Sequence, residues 1–317
     1  MKRKMLNVPK GGYDGMKGFT IVEFLVAGLL SIIVLIAVVS SYFTSRKLND
    51  AANERLAIQQ DLRNAATLIV RDARMAGSFG CFNMSEHTEK DVVFDVAQKN
   101  RVAQKNRPFS LKGSSANKLI PIAESLNIGY QGFAQVRPAL IFQYGIDDVN
   151  ASAETTVVSS CGVISKPGKQ IPTLEDAKKE LKIQNSGKEQ NGNIARQRHV
   201  VNAYAVGRIA GEEGLFRFQL DDKGKWGNPQ LLVKKVKRMD VRYIYVSGCP
   251  EDAGKEEQFK YTDKFDKSRD AVTPAGVEVL LDSGLDAKIA ASSDNSIYAY
   301  RINATIRGGN VCANRTL

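Results

Sequence analysis

Lys17-Gly18-Phe19-Thr20-Ile21-Val22-Glu23-Phe24-Leu25-Val26 opens the stretch that decides how this chain is built. From Phe24 to Val39 every residue except Ser31 is apolar or glycine, and the apolar character continues through Tyr42 and Phe43 until Arg46 and Lys47 end it. About twenty residues rising 1.5 Å each match the roughly 30 Å of a bilayer's hydrocarbon core, so the stretch reads as a membrane-spanning helix. Lys2, Arg3, Lys4, Lys10 and Lys17 precede it with Asp14 as their one acid. That excess of base puts the N-terminus in the cytoplasm and everything beyond Phe43 outside it. A secretory signal would carry a shorter apolar run with a small-residue cleavage site beyond it. Here the small residue, Gly18, comes before the run. Glu23 stands at its edge, where a carboxylate carried to the bilayer centre costs about 2.5 to 3.5 kcal/mol and so calls for a partner.

The helical pattern outlasts the membrane. Leu48 to Ala76 holds neither proline nor glycine, and Leu48, Ala51, Ala52, Ile58, Leu62, Ala66, Ile69, Val70 and Ala73 fall on one stripe. Asn49, Asn53, Gln60, Asn64, Thr67 and Arg71 lie opposite, and Gly77 supplies a C-cap. The expectation is one helix of nearly sixty residues, about 85 Å long, whose second half packs on a domain. After Cys81 the pattern turns to short alternating runs at 91–97, 138–144, 155–158, 199–206, 215–220, 233–246 and 297–306. Met239, Val241, Tyr243 and Tyr245 share one parity while Arg238, Asp240 and Arg242 take the other, as in a half-buried antiparallel strand. The fold class is therefore α+β, a twisted antiparallel sheet laid on the amphipathic half of the helix. Polar stretches near 98–118, 165–196 and 248–272 read as loops.

The formal charge of +11 falls to +7 once the five bases and one acid of residues 1–18 are set aside. A surplus of that size suits a soluble surface and does not name nucleic acid as a partner. Lys234, Lys235, Lys237 and Arg238 divide between two strand faces, with no aromatic interleaving, and read as a solvated strand edge. Cys81, Cys161, Cys249 and Cys312 are widely separated, without a CxxC pair or a histidine cluster. An even count at long spacing favours disulfides in an oxidising compartment, with buried free thiols as the alternative. Three pairings are open, and order in the chain favours Cys81 with Cys161 and Cys249 with Cys312. The two histidines, His87 and His199, lie in no metal-binding motif, and no P-loop, nucleophile elbow or dinucleotide fingerprint occurs. Asp221 to Asn228 reads as a hairpin turn rather than a calcium loop, because Lys223 takes a position where a ligand would be wanted. No catalytic residue, metal ligand or cofactor is expected.

Lys17 to Glu23, followed by the unbroken apolar helix, resembles the cleavage and methylation signal of type IV prepilins. Two further stretches resemble the PilW-type minor pilins of that group: Arg71-Asp72-Ala73-Arg74-Met75-Ala76-Gly77-Ser78-Phe79-Gly80-Cys81, and Gly214 to Arg217 with Leu231 to Tyr243. The resemblance implies a leader, 1–18, cut after Gly18 by a prepilin peptidase, with Phe19 becoming the N-methylated first residue. It implies a filament-core half, 19–43, an amphipathic half, 44–77, and an exported β-rich head, 78–317. Glu23 would pair with the Phe19 amine of a neighbouring subunit. Other minor pilins, the major pilin and the inner-membrane assembly platform would be the partners. The implied role is in starting pilus assembly, the tip included, with motility, adhesion or DNA uptake as outcomes. A type II secretion minor pseudopilin of the J kind shares the leader and helix, and a membrane-anchored adhesin or binding module that never polymerises is the reading from another class.

Overall fold

A computed structural model describes residues 18, 20–93, 119, 121–182, 193–247, 258–265, 273–282, 300–307 and 309. The chain forms two units, residues 1–57 and residues 58–317. In the first unit the helix α1 (Ile21–Met75) begins, and every residue from Ile21 to Ala57 is exposed. Among the described residues α1 is the helix long and apolar enough to cross a membrane. Two of its hydroxyls bond back into the helix: Ser31 Oγ donates to the Ala27 carbonyl at 2.8 Å and Thr44 Oγ1 to the Ser40 carbonyl at 2.9 Å.

In the second unit α1 buries Ile58, Leu62, Ala65, Ile69, Asp72 and Ala73, and Ala76 just past its end is buried too. Residues 58, 62, 65, 69, 72 and 76 alternate in steps of four and three, the spacing that keeps one seam facing a packing partner. The stripe read from the sequence is rotated from this seam. Ala66 and Val70 are half-buried flanks, and Leu48, Ala51 and Ala52 are exposed. The apolar alphabet alone had no place for Asp72, which occupies a seam position.

The chain then runs through β1 (Ser78–Phe79), β2 (Phe82–Asn83), two 3-10 turns, β3 (Val92–Val93), β4 (Ile122–Ser125), β5 (Phe133–Gln135), β6 (Ala139–Ile146), β7 (Thr156–Ser159) and β8 (Ile164–Ser165). A short helix α2 (Leu174–Glu180) precedes β9 (Ala195–Ile209), β10 (Glu212–Leu220), β11 (Trp226–Lys234), β12 (Arg238–Ser247), β13 (Gln258–Thr262), β14 (Gly276–Asp282) and β15 (Tyr300–Thr305). Among the described residues the larger sheet has nine strands centred on β9, which pairs antiparallel with β7, β6, β10 and β5 along its length, while β11 closes the order beyond β10. A four-stranded antiparallel sheet follows the order β13-β12-β14-β15.

The seam of α1 packs on both sheets, against Leu140, Phe142, Tyr204 and Leu215 of the first and Met239, Tyr243, Val277 and Ile302 of the second. Tyr243 ties the sheets together by donating its hydroxyl to Glu124 Oε1 at 2.7 Å. The far face of the larger sheet has its own core of Ile141, Val201, Phe216 and Phe218 under Tyr130 and Phe133.

The α+β expectation holds, with local differences. The run 233–246 is two strands, because Lys235 takes a left-handed φ of 61° and turns the chain between β11 and β12. Lys234 closes the edge strand and reaches Glu212 at 3.6 Å, while Arg238 pairs with Asp240 at 2.5 Å. The polar stretch 165–196 contains α2, capped by Thr173 Oγ1, which accepts from the Asp176 amide at 3.1 Å. The stretch 248–272 contains β13, and β14 had not been anticipated. Residues 94–97, at the end of the first expected strand, lie outside the described residues.

Candidate functional site

Two places in the chain concentrate polar chemistry on α1, one at its start and one at its seam. At the start, Thr20 caps the helix. Its Oγ1 accepts from the Glu23 amide at 3.3 Å, and Glu23 Oε2 accepts from the Thr20 amide at 3.2 Å and from Thr20 Oγ1 at 3.1 Å. This reciprocal pair is a capping box of the T-x-x-E form, which satisfies amides that the first helical turn leaves open. It also puts the Glu23 carboxylate beside the positive end of the helix dipole. The reading of Glu23 as an acid in need of a partner overlooked this local one, although Thr20 three residues earlier was the signal for it. Gly18 precedes the cap and a Cβ built on it would meet nothing within 4 Å. Phe19, the residue expected to carry the new N-terminus, lies outside the described residues.

The second place is Asp72, fully buried against the larger sheet. Strands β6, β9 and β10 present Tyr144, Asn202, Tyr204 and Arg217 on the face that meets α1, with Tyr204 and Arg217 directly opposite each other across the β9–β10 ladder. Asp72 Oδ2 accepts from the Tyr204 hydroxyl at 2.6 Å, from Asn202 Nδ2 at 2.9 Å and from an Arg217 guanidinium nitrogen at 3.4 Å. Asp72 Oδ1 accepts from the Tyr144 hydroxyl at 2.9 Å and from an Arg71 guanidinium nitrogen at 3.2 Å. Asn202 Nδ2 also lies 3.1 Å from the Tyr144 hydroxyl oxygen, closing the network.

Burial, and then the neighbouring Asp72 charge, pushes the Tyr144 phenol up to about 12 and the Tyr204 phenol up as well. Both therefore remain protonated donors. Partial burial works against the Arg71 charge, but Asp72 outweighs it and holds the guanidinium above its ordinary value. A carboxylate enclosed by five donors is no free base. It fixes the rotation and register of α1 on the sheet, since a slip of one helical position would bury the charge against apolar side chains. The sequence pointed to Arg71-Asp72 only as part of a resemblance; the four-three spacing of the seam was the physical signal that the carboxylate faces inward.

Just beyond the helix, the disulfide between Cys81 and Cys161 joins the turn between β1 and β2 to the turn between β7 and β8. Ser159 Oγ donates to the Phe79 carbonyl at 2.7 Å beside it. Gly77 and Gly80 both need positive φ here, at 78° and 65°, and a Cβ on Gly77 would stand 2.9 Å from Pro121 Cβ. The other two cysteines, Cys249 and Cys312, lie outside the described residues.

Comparison with protein-family models, with curated proteins and with solved structures returns no match.

The remaining sequence candidates are placed as follows. His199 is buried in the middle of β9, with Nε2 3.1 Å from Gln143 Oε1 and its ring against Phe79. His87 stacks on Phe82 with ring centroids 4.2 Å apart, and its Nδ1 lies 3.4 Å from Asp91. Asp221 Oδ1 accepts from the Lys223 and Lys225 amides at 2.9 and 2.8 Å within the β10–β11 hairpin. Among the described residues no group of His, Cys, Asp and Glu is arranged to hold a metal ion.

Proposed function

We propose that this chain is a minor pilin of the type IV pilus. It is made with a leader, 1–18, that a prepilin peptidase removes, and is held in the inner membrane by the apolar part of α1 with its head in the periplasm. It then joins other minor pilins and the major pilin on the assembly platform to start a pilus and reach the cell surface. The observation that carries this reading is the first turn of α1. Glu23 is held there by Thr20, a few residues after Gly18, at the mouth of an apolar helix whose side chains from Ile21 to Phe43 are all exposed. An apolar surface of that length requires lipid or other helices around it, and a carboxylate in that setting requires a cationic partner. The Phe19 amine of a neighbouring subunit supplies that cation.

The Asp72 network and the Cys81–Cys161 bridge add support of a different kind. They fasten a head to the end of the helix, as a subunit needs when its helix is held in an assembly. The test is intact mass and N-terminal sequencing of the protein from membranes of cells with and without the prepilin peptidase. A chain beginning at N-methylated Phe19 only when the peptidase is present is the expected result. Retention of Met1 in both would overturn the reading in favour of a membrane-anchored module that does not polymerise.

A further inference from the structure

An open groove of about 580 Å³ lies along α1 in the second unit, lined by Arg63, Val70, Arg71, Arg74, Met75 and Tyr300 among others. Its lining holds three arginines and, among the described residues, no acid. Arg63 and Arg74 are exposed and make no ion pair among the described residues. Arg71 turns Nε and one terminal nitrogen to Asp72 Oδ1, at 3.4 and 3.2 Å, which fixes the plane of its guanidinium and leaves the other terminal nitrogen uncommitted. Asp72 does not cancel this charge, because Arg217 shares the same carboxylate at 3.4 Å. Two guanidinium ions against one anion leave the wall of the groove positive. Eleven residues of helix set Arg63 and Arg74 about 16 Å apart on one stripe, with Val70 between them. The groove is thus cationic at its two ends and apolar in its middle.

We propose that this groove binds an extended peptide segment of a partner protein in which two acidic residues, four positions apart, flank an apolar one. An extended chain rises about 3.4 Å per residue, so carboxylates at i and i+4 stand about 14 Å apart on one side of the segment, with the side chain at i+2 between them. The flexible arginine stems close the remaining gap. One acid meets Arg63, the other meets Arg74 and the uncommitted nitrogen of Arg71, and the apolar side chain settles on Val70, Met75 and Tyr300. Two other anionic classes fit less well. A lipid headgroup brings its charge to one point, whereas the cations stand at two ends. A nucleic-acid strand carries a phosphate at every unit and stacks successive bases on aromatic faces, whereas the middle of this groove is apolar and Tyr300, its single aromatic among the described residues, is half-buried. The contact lies wholly within the second unit, so processing at Gly18 has no bearing on it.

The test uses the full chain in phosphatidylcholine nanodiscs and a fluorescein-labelled peptide, Ser-Glu-Ser-Leu-Ser-Glu-Ser, with an isomer whose two glutamates are adjacent. Fluorescence anisotropy should show the spaced peptide binding about fivefold more tightly than the isomer, the fold-change of one surface charge pair. Arg63→Gln and Arg74→Gln should each weaken the spaced peptide by a similar factor. The melting temperature should stay the same in both variants, since neither side chain has an ion-pair partner among the described residues. Equal affinity for the two isomers, no binding of either, or affinity indifferent to the two substitutions would overturn the proposal. So would tighter binding of an oligothymidylate of the same length through the same arginines, which would assign the groove to single-stranded nucleic acid. Displacement of the peptide by glycerol phosphate at equal concentration would overturn it too, in favour of a headgroup.

Discussion

Asp72→Ala is the perturbation that most directly probes how the head is held. In the folded chain the carboxylate has no exposed surface and accepts hydrogen bonds from two tyrosines, an asparagine and two arginines. Its loss strands Arg217, whose side chain is 14% exposed, beside two buried phenols. Removing one member of a buried ion pair costs about 3 to 5 kcal/mol, chiefly through the charge left behind. For a unit of this size about 4 kcal/mol corresponds to a fall of roughly 10 °C in the melting temperature. Arg217→Met should cost less, because Arg71 still faces the carboxylate. In the double variant the stranded charge is gone, so its loss should fall short of the sum of the two by about 1 to 2 kcal/mol. Thermal and urea unfolding of the full chain in detergent, with a double-mutant cycle, measures all three. A fall of less than about 2 °C for Asp72→Ala, or strict additivity in the cycle, would show that the network does not hold α1 in the way described.

Other outcomes follow from the same geometry. Cys81→Ser should remove the redox-dependent shift in gel mobility that belongs to the Cys81–Cys161 bridge. Since that bridge spans 80 residues, its loss should cost about 4 kcal/mol on the chain-entropy account. Gly77→Ala should destabilise by more than about 1 kcal/mol, read as a lower urea midpoint, because alanine must take positive φ and crowd Pro121. Stability should also fall at alkaline pH. Tyr144, Tyr204 and Tyr243 have phenols raised by burial and then by Asp72 or Glu124. Each contribution is complete below the unfolded value near 10 and is lost as pH rises through the folded value, which for Tyr144 is about 12 and for the other two lies higher; urea midpoints between pH 8 and 11.5 would record the start of the fall. On the proposed pilin function, Glu23→Gln should leave the head's melting temperature unchanged while sharply reducing recovery of the chain in sheared pili.

The helix was legible because two signals adjoined over a long window: an apolar run from Phe24 to Val39 and an absence of proline and glycine from Leu48 up to Gly77. Its seam was less so. Counting apolar residues drew the stripe through Ala66 and Val70, whereas the buried set passes through Ala65, Asp72 and Ala76. Small alanines on both flanks gave hydrophobicity little to distinguish. Strands with clean alternation, such as β10 and β12, were visible, and β9 was found but shortened because its first residues, Ala195 to Arg198, are polar or small. The strand β14 was passed over although Val277, Val279, Leu280 and Leu281 are all buried. It is covered on both faces and so lacks alternation. The helix α2 was hidden by its polarity, since one buried residue, Ala177, anchors it. At the candidate site the cysteine order led to the Cys81–Cys161 bridge, but the partners of Asp72 come from strands far apart in the chain, and no local pattern joins them.

A buried carboxylate is a poor way to gain stability, because desolvation takes back much of what the ion pairs supply. What Asp72 contributes is a single answer to where the helix sits. The rest of the seam near it, Ala65, Ile69, Ala73 and Ala76, is smooth and mostly small, and such a surface tolerates sliding by a turn or rotation by a residue at little cost. Four donors converging from β6, β9 and β10 meet a carboxylate in only one register, and the Cys81–Cys161 bridge closes the chain a few residues later. If the chain is the pilus subunit proposed above, rotation of the head about that helix would scramble every contact the head makes. A charge in the seam trades some stability for a fixed head, and Asp72→Asn offers the sharpest separation of the two effects. The amide keeps the volume and part of the hydrogen bonding, so the chain should fold and insert normally, yet it cannot satisfy Arg217 and both phenols together. If register is what Asp72 provides, crosslinks that depend on head orientation should broaden in this variant while the amount of membrane-inserted protein stays the same.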